Sequence, residues 1–242
     1  MSAPAPARRL PRRVAVDWRG AWRIIPSRFP AHGVYDRIAE PADLDALYAL
    51  EAMTNDRLRD ELGELELVPR ARRVTGPGTQ TVMAAFTHLN PDGSRFSDGS
   101  YGVFYAAKAL DTAVAETMHH RAKFMAATAE PAMKLEMRCY RMDIRARLHD
   151  LRRGWAPMLD PDDYAAPRRL GRELRDAGSD GVVYPSVRHA GGQCVGVFWP
   201  DVVGACVQAQ HLVYAWDGAR MLPEYAVATL AGEAAPQRES TL

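Results

Sequence analysis

The stretch Asp92 to Glu116, DGSRFSDGSYGVFYAAKALDTAVAE, puts turn, strand, turn and helix signals into one short segment, so any fold must accommodate all four in that order. Gly93, Asp98, Gly99 and Ser100 are turn formers, which places Arg95 in or beside a loop. Tyr101 to Ala106 is a short aromatic and β-branched run and reads as a buried strand. Asp111 can cap a helix whose apolar stripe is Leu110, Ala113, Val114, Thr117, Met118, Phe124 and Met125. At about 100° per residue, Glu116 falls at the margin of that stripe. A carboxylate there can face a cleft without entering the core. Tyr105 precedes Glu116 by eleven positions, so a strand end and the second turn of the next helix can flank one pocket.

Composition narrows the class. A chain of 242 residues that is 47% hydrophobic can build one large domain or two small ones. A net charge of +1 argues against a protein devoted to nucleic acid or to anionic membranes. No apolar run approaches the roughly 18 residues of a membrane span. Arg8, Arg9, Arg12 and Arg13 have no apolar run after them, so the N-terminus does not read as a secretory signal. Cys139, Cys194 and Cys206 lack C-x-x-C spacing, which fits a reducing cytoplasm rather than a disulfide framework.

In chain order, residues 1–19 are rich in Pro, Ala and Arg and read as a flexible basic arm. Ala21–Ile25 reads as a first strand, followed by a loop stiffened by Pro26 and Pro30 that presents Arg28. Pro41 to about Leu62 is helical, with a break and second cap at Thr54–Asn55, and Leu65–Val68 reads as an edge strand. Arg70, Arg72 and Arg73 form a solvated basic face before Gly76-Pro77-Gly78, which no G-K-[ST] follows. Thr79–Leu89 reads as a short buried helix. Met133–Asp143 alternates as a half-buried strand, Arg147–Leu151 reads as a further short one, and a helix after Asp160–Tyr164 closes at Gly178. Gly181–Val187 is a strand stopped by Pro185, with Ser186 at its end. Gly191-Gly192 turns into a return strand, Gln193–Trp199, and more strand follows between Val202 and Trp216. The organisation is one domain over 20–229, with a helical insertion at about 41–90 and a disordered tail at 230–242. Strands early and late with helices between favour α+β over a doubly wound sheet.

Standard catalytic motifs are missing. There is no H-E-x-x-H, and the adjacent His119 and His120 point about 100° apart on a helix, so no metal site is expected. Ser186 sits in Y-P-S-V-R rather than G-x-S-x-G, and no G-x-G-x-x-G follows a strand. His32, His88, His149, His189 and His211 are scattered. What remains is a dispersed set: Arg28, Arg95, Tyr105, Glu116, Ser186 and Arg188.

In that order the set resembles the RES-domain toxins of bacterial toxin–antitoxin pairs, a family named for an arginine, a glutamate and a serine. The matching pieces are S-R-F at Ser94–Phe96, V-F-Y-A-A at Val103–Ala107, L-D-T-A-V-A-E at Leu110–Glu116 and G-V-V-Y-P-S-V-R at Gly181–Arg188. The opening W-R-I-I-P-S-R-F-P, from Trp22 to Pro30, is similar to longer members, and the likeness runs from about Ala21 to Trp216. Two features depart from the pattern: Ser-Arg-Phe stands where many members have Gly-Arg-Trp, and the helical segment separates Arg28 from the Arg95 turn. Arg23 and Arg28 both compete for the family's first arginine. Arg28 is favoured because a rigid loop exposes it.

The resemblance implies a fold similar to ADP-ribosyltransferase toxins, with a mainly antiparallel β core and flanking helices. It also implies an enzyme that consumes NAD as a substrate, needs no metal, and passes ADP-ribose to water, phosphate or a protein side chain. Glu116, Arg28, Tyr105 and Ser186 are the implied catalytic residues; Arg28, Arg95, Tyr105 and Ser186 the implied NAD-binding ones. Splitting the glycosidic bond puts positive charge on the ribose, which a carboxylate at Glu116 can stabilise. Tyr105 can stack on nicotinamide, the arginines can pair with the pyrophosphate, and Ser186 can donate to the ribose or the amide. An antitoxin partner covering the cleft is implied as well. The competing expectations are a ribonuclease-type toxin acting on RNA, with salt-sensitive affinity, and a non-catalytic interaction module.

Overall fold

The computed structural model describes residues 10–29, 33–38, 40–51 and 62–228. Among these, seven strands form one sheet: β1 (Arg13–Pro26), β2 (Phe104–Ala107), β3 (Met133–Asp150), β4 (Gly181–Pro185), β5 (Gln193–Val197), β6 (Val207–Trp216) and β7 (Met221–Ala228). Their order is β1-β2-β5-β4-β3-β6-β7. Only β3–β4 is parallel, so the architecture is α+β with a mostly antiparallel sheet. β1 pairs with β3 as well as β2, which closes β1, β2, β5, β4 and β3 into a ring. One residue pair, Trp22–Ala107, joins β1 to β2.

The long β1–β3 ribbon is the frame. It pairs Arg13 with His149 at one end and Pro26 with Met137 at the other. Its register shifts between Trp18 and Ala21, where Gly20 takes φ +73° and its N–H bonds the Asp143 carboxylate at 3.0 Å. A Cβ at Gly20 would be strained by that φ and would run into the Arg141 guanidinium, so glycine permits the bend.

Residues alternate between two cores. Ala21, Phe104, Ala106, Val183, Val195 and Val197 share one cluster with Tyr35 of α1 (Val34–Arg37), Leu44 of α2 (Pro41–Glu51) and Val82 and Met83 of α3 (Gln80–Thr87). Ile24, Ala107, Cys139, Val182, Tyr184 and Cys194 share the other with Ala113 and Val114 of α4 (Leu110–Ala127) and Leu170 and Leu174 of α5 (Ala165–Asp176). A sheet covered on both faces explains why β4 and β5 are apolar on consecutive residues.

Several expectations change. Residues 13–19 are not an arm: Val16 and Trp18 are buried while Arg13, Ala15, Asp17 and Arg19 are exposed, an alternation hidden by the Pro/Arg-rich composition before it. Leu65–Leu67 is a 3-10 turn rather than an edge strand; its Leu65 and the Val68 that caps it are buried, spaced i, i+3. Arg147–Leu151 does not form a separate strand, since β3 runs on through Asp150. β2 starts only at Phe104, and Tyr101 belongs to the preceding turn. The cap of α4 is Ala109, with Asp111 inside the first turn, where its charge suits the helix N-terminus. β6 begins at Val207 after a 3-10 turn at Pro200–Val202, and β7 had no clear sequence signal. The expected break at Thr54–Asn55, residues 1–9 of the arm and the tail at 230–242 lie outside the described residues.

Candidate functional site

The site is built on the turn before β2. Ser94 N–H bonds the Ser97 carbonyl at 2.7 Å, and Gly93 at φ +71° lets the chain double back. The Tyr105 hydroxyl holds this turn from β2: it accepts the Phe96 N–H at 2.9 Å and shares a 2.8 Å hydrogen bond with Ser94 Oγ. Burial pushes the Tyr105 phenol up to about 12, against the opposing pull of the Ser94 and Phe96 bonds and the Arg95 charge.

Arg95 points inward from the turn and is 7% exposed. Its Nη1 donates to the Asp160 carbonyl at 2.7 Å and the Met158 carbonyl at 3.3 Å, and its guanidinium lies 4.5 Å from the Tyr164 ring centroid. It therefore ties the 94–97 turn to the loop leading into α5. Carbonyl oxygens satisfy part of the buried cation where a carboxylate would otherwise be needed.

Glu116, half-buried on α4, meets Ser186 beyond the end of β4. The Ser186 hydroxyl donates to Glu116 Oε1 at 2.6 Å. The same Ser186 oxygen accepts the backbone N–H groups of Arg188 at 3.2 Å and His189 at 3.0 Å. One helical turn before Glu116, Thr112 Oγ1 shares a 2.9 Å hydrogen bond with His189 Nδ1. Thr112 and Glu116 thus use the i, i+4 face of α4 to hold the 186–189 turn at two points. Thr112 and His189 were not among the expected site residues. Their signal was the spacing of Thr112 four residues before Glu116, which means something only once the partner turn is known.

Tyr184 and Cys194, paired across β4 and β5, lie beneath this contact. Burial pushes both groups well up; Glu116 adds to that in each case and Arg95 opposes it. Both side chains therefore sense the Glu116 and Arg95 charges together. The structure thus joins Ser186 directly to Glu116, and ties Tyr105 to the turn that carries Arg95.

Arg28 is placed elsewhere. It is exposed and lies 5.1 Å from the centroid of the Phe29 ring, and burial, with the Arg28 charge, lowers the pKa of Arg121 on α4. The arginine that reaches the Tyr105 segment is Arg23. Its Nη1 donates to the Tyr105 carbonyl at 3.0 Å, its guanidinium lies 4.5 Å from the Phe104 ring centroid, and its Nε is buried without a hydrogen-bond partner. Burial pulls its pKa down. A loop gave Arg28 exposure, but β1 gives Arg23 the neighbours. Arg188 turns to the Pro161 carbonyl at 2.6 Å.

A cavity of about 650 Å³ opens beside Arg23, lined by His88 and Asn90, by Ser94 and Tyr101, and by Tyr105. The volume is in the range of small-molecule sites. Among the described residues no His, Cys, Asp and Glu group is arranged to hold a metal ion, and no helix is long and apolar enough to cross a membrane.

The chain is similar to known proteins. "Uncharacterized protein y4oC" of Sinorhizobium fredii is 33% identical over 220 residues, covering 89% of this chain and 91% of that protein. The crystal structure of the M. tuberculosis MbcT-MbcA toxin-antitoxin complex aligns over 85% of this chain and 88% of its own, at 15% identity and a TM-score of 0.44. The family model described as RES domain matches residues 70–217, a span that holds Arg95, Tyr105, Glu116 and Ser186. The chain belongs to the RES domain family.

Proposed function

We propose that the protein is an NAD-consuming enzyme and the toxin of a toxin–antitoxin pair, with Glu116 as its central carboxylate. The observation that carries this reading is the 2.6 Å bond from Ser186 to Glu116 Oε1, which fixes a half-buried carboxylate between two elements far apart in sequence. With Oε1 held by Ser186, Oε2 is left to accept a ribose hydroxyl.

In the proposed reaction the bond between ribose C1′ and the nicotinamide nitrogen breaks, and its electron pair leaves with nicotinamide. The ribose acquires cationic character, which Glu116 stabilises by charge and through its hydrogen bonds to the sugar. An acceptor oxygen or nitrogen then forms the new bond to C1′ and loses its proton to solvent. NAD lies along the cavity beside Arg23 and passes Tyr105 toward Glu116. Arg23 takes the pyrophosphate role first given to Arg28, because a buried Nε without a partner and an adjoining cavity suit a charge-assisted bond to an anionic ligand. Arg95 holds the turn that carries Ser94, and its charge favours an anion nearby. Tyr105 keeps its hydroxyl on that turn and offers its ring to nicotinamide. The cognate antitoxin covers this cleft, and the acceptor is water, phosphate or a protein side chain.

The test is incubation of purified protein with NAD, followed by mass spectrometry for nicotinamide, ADP-ribose, ADP-ribose phosphate and modified protein. Glu116→Gln is expected to lower turnover by about 100- to 1000-fold, the usual loss for one transition-state contact, while keeping part of the NAD affinity. Near-full turnover in Glu116→Gln refutes the assignment. RNA cleavage without nicotinamide release moves the protein to the nuclease reading.

A further inference from the structure

A second cavity, about 930 Å³, is lined by Arg12, Arg152, Arg153 and Trp155 together with Gly192 and Gln193, which follow the Ser186 turn. None of Arg23, Arg95, Tyr105 or Glu116 lines it. Three arginines and one carboxylate, Asp150, line it. That carboxylate is already engaged: Arg152 bonds it through Nε at 2.8 Å and Nη2 at 3.0 Å, while Arg12 reaches only to 3.8 Å. Arg152 Nη1 also donates to Gln193 Oε1 at 3.3 Å, which fixes its plane and leaves the Gln193 amide nitrogen as a donor. Arg153 makes no ion pair among the described residues. The wall therefore carries two positive charges beyond what Asp150 balances. Trp155 is half-buried and adds a flat apolar face.

We propose that this cavity is a second ligand site, for a phosphate monoester joined to a flat heterocycle, the class of the mononucleotides. Two unbalanced guanidiniums beside a preset third suit a dianionic phosphate, which arginine binds through paired N–H donors. The indole face suits a stacked ring, and the cavity volume lies in the range of small-molecule sites. The floor is rigid: Ser186 N–H bonds the Gly192 carbonyl at 2.9 Å, and a Cβ at Gly192 would strike the Thr112 side chain. A bound phosphate ester therefore rests on a turn that α4 already holds. The proposal does not depend on NAD cleavage.

The experiment is calorimetric titration of the full chain with AMP, alongside adenosine, ribose 5-phosphate and inorganic phosphate. AMP is expected to bind best, since each of the others lacks the ring or the phosphate. Arg153→Glu, at the cavity rim, is expected to weaken AMP by at least about tenfold, the loss of one charge-assisted bond. Arg12→Ala is expected to weaken it less. Absence of AMP binding at millimolar concentration overturns the proposal. So does an Arg153→Glu variant that binds AMP as the parent does, inorganic phosphate binding as tightly as AMP, or loss of AMP binding in Arg23→Ala, which would put the nucleotide in the first cavity.

Discussion

Replacing Ser186 with alanine isolates the contact on which the proposed site turns. The change removes a hydrogen bond to a carboxylate, the kind worth roughly 1.5–3 kcal/mol, and strips the acceptor from the N–H groups of Arg188 and His189. Ser186 is half-buried, so water replaces part of what is lost, and the stability cost belongs near the lower end, about 1.5 kcal/mol. Turnover should suffer more than stability suggests. Without the Ser186 hydroxyl, Glu116 is free to leave the geometry that faces the ribose, and 1.5–3 kcal/mol of lost positioning corresponds to roughly ten- to a hundredfold in rate. The assay pairs urea unfolding with steady-state release of nicotinamide, so folding and chemistry are read on one preparation. A fall in kcat with KM nearly unchanged marks a positioning role. A variant that loses about 1.5 kcal/mol of stability yet turns over NAD at the parent rate would show that Ser186 merely braces the turn, and the argument for a held carboxylate would fail.

Two further outcomes follow from the geometry. Tyr105→Phe removes the acceptor of Phe96 N–H and the partner of Ser94 Oγ; it should cost about 1–3 kcal/mol of stability by denaturant unfolding, and an unchanged midpoint would mean the turn holds without it. His149 is 5% exposed, with Nδ1 on the Pro11 carbonyl and Nε2 accepting Arg13 Nε at 3.2 Å. Burial, with help from Arg13, lowers its pKa although the Pro11 bond opposes, so the folded state takes up its proton less readily than the unfolded chain. The stability it supports is then complete above the unfolded value of about 6.5 and declines as pH falls below it. The urea midpoint should drop between pH 7.5 and 5.5, and less so in His149→Gln; equal slopes in both proteins would exclude His149 as the source.

The local parts of the candidate site were legible because they lie close together in sequence. Turn formers around Arg95, an aromatic strand residue at Tyr105 and a carboxylate at the margin of a helical stripe are written at short spacing, and the structure ties the Tyr105 hydroxyl to the Arg95 turn and leaves Glu116 half-buried. The choice between Arg23 and Arg28 was not legible. A strand pattern says only that Arg23 points to one face. That the face holds Phe104, the Tyr105 carbonyl and a cavity depends on β1 meeting β2 across the Trp22–Ala107 pair. Residues 13–19 were misjudged for a related reason, since their alternation becomes a strand only against β3.

Local chemistry in the chain was enough to set the class of fold, the half-buried position of Glu116 and the turn that carries Arg95, because turn propensity and hydrophobic period act over a few residues. The pairing of Ser186 with Glu116, the hold of Thr112 on His189 and the second cavity walled by arginines arise from segments that approach one another only after the sheet has formed. Contacts at such separations depend on register and packing across the whole sheet, and no short window of sequence records them.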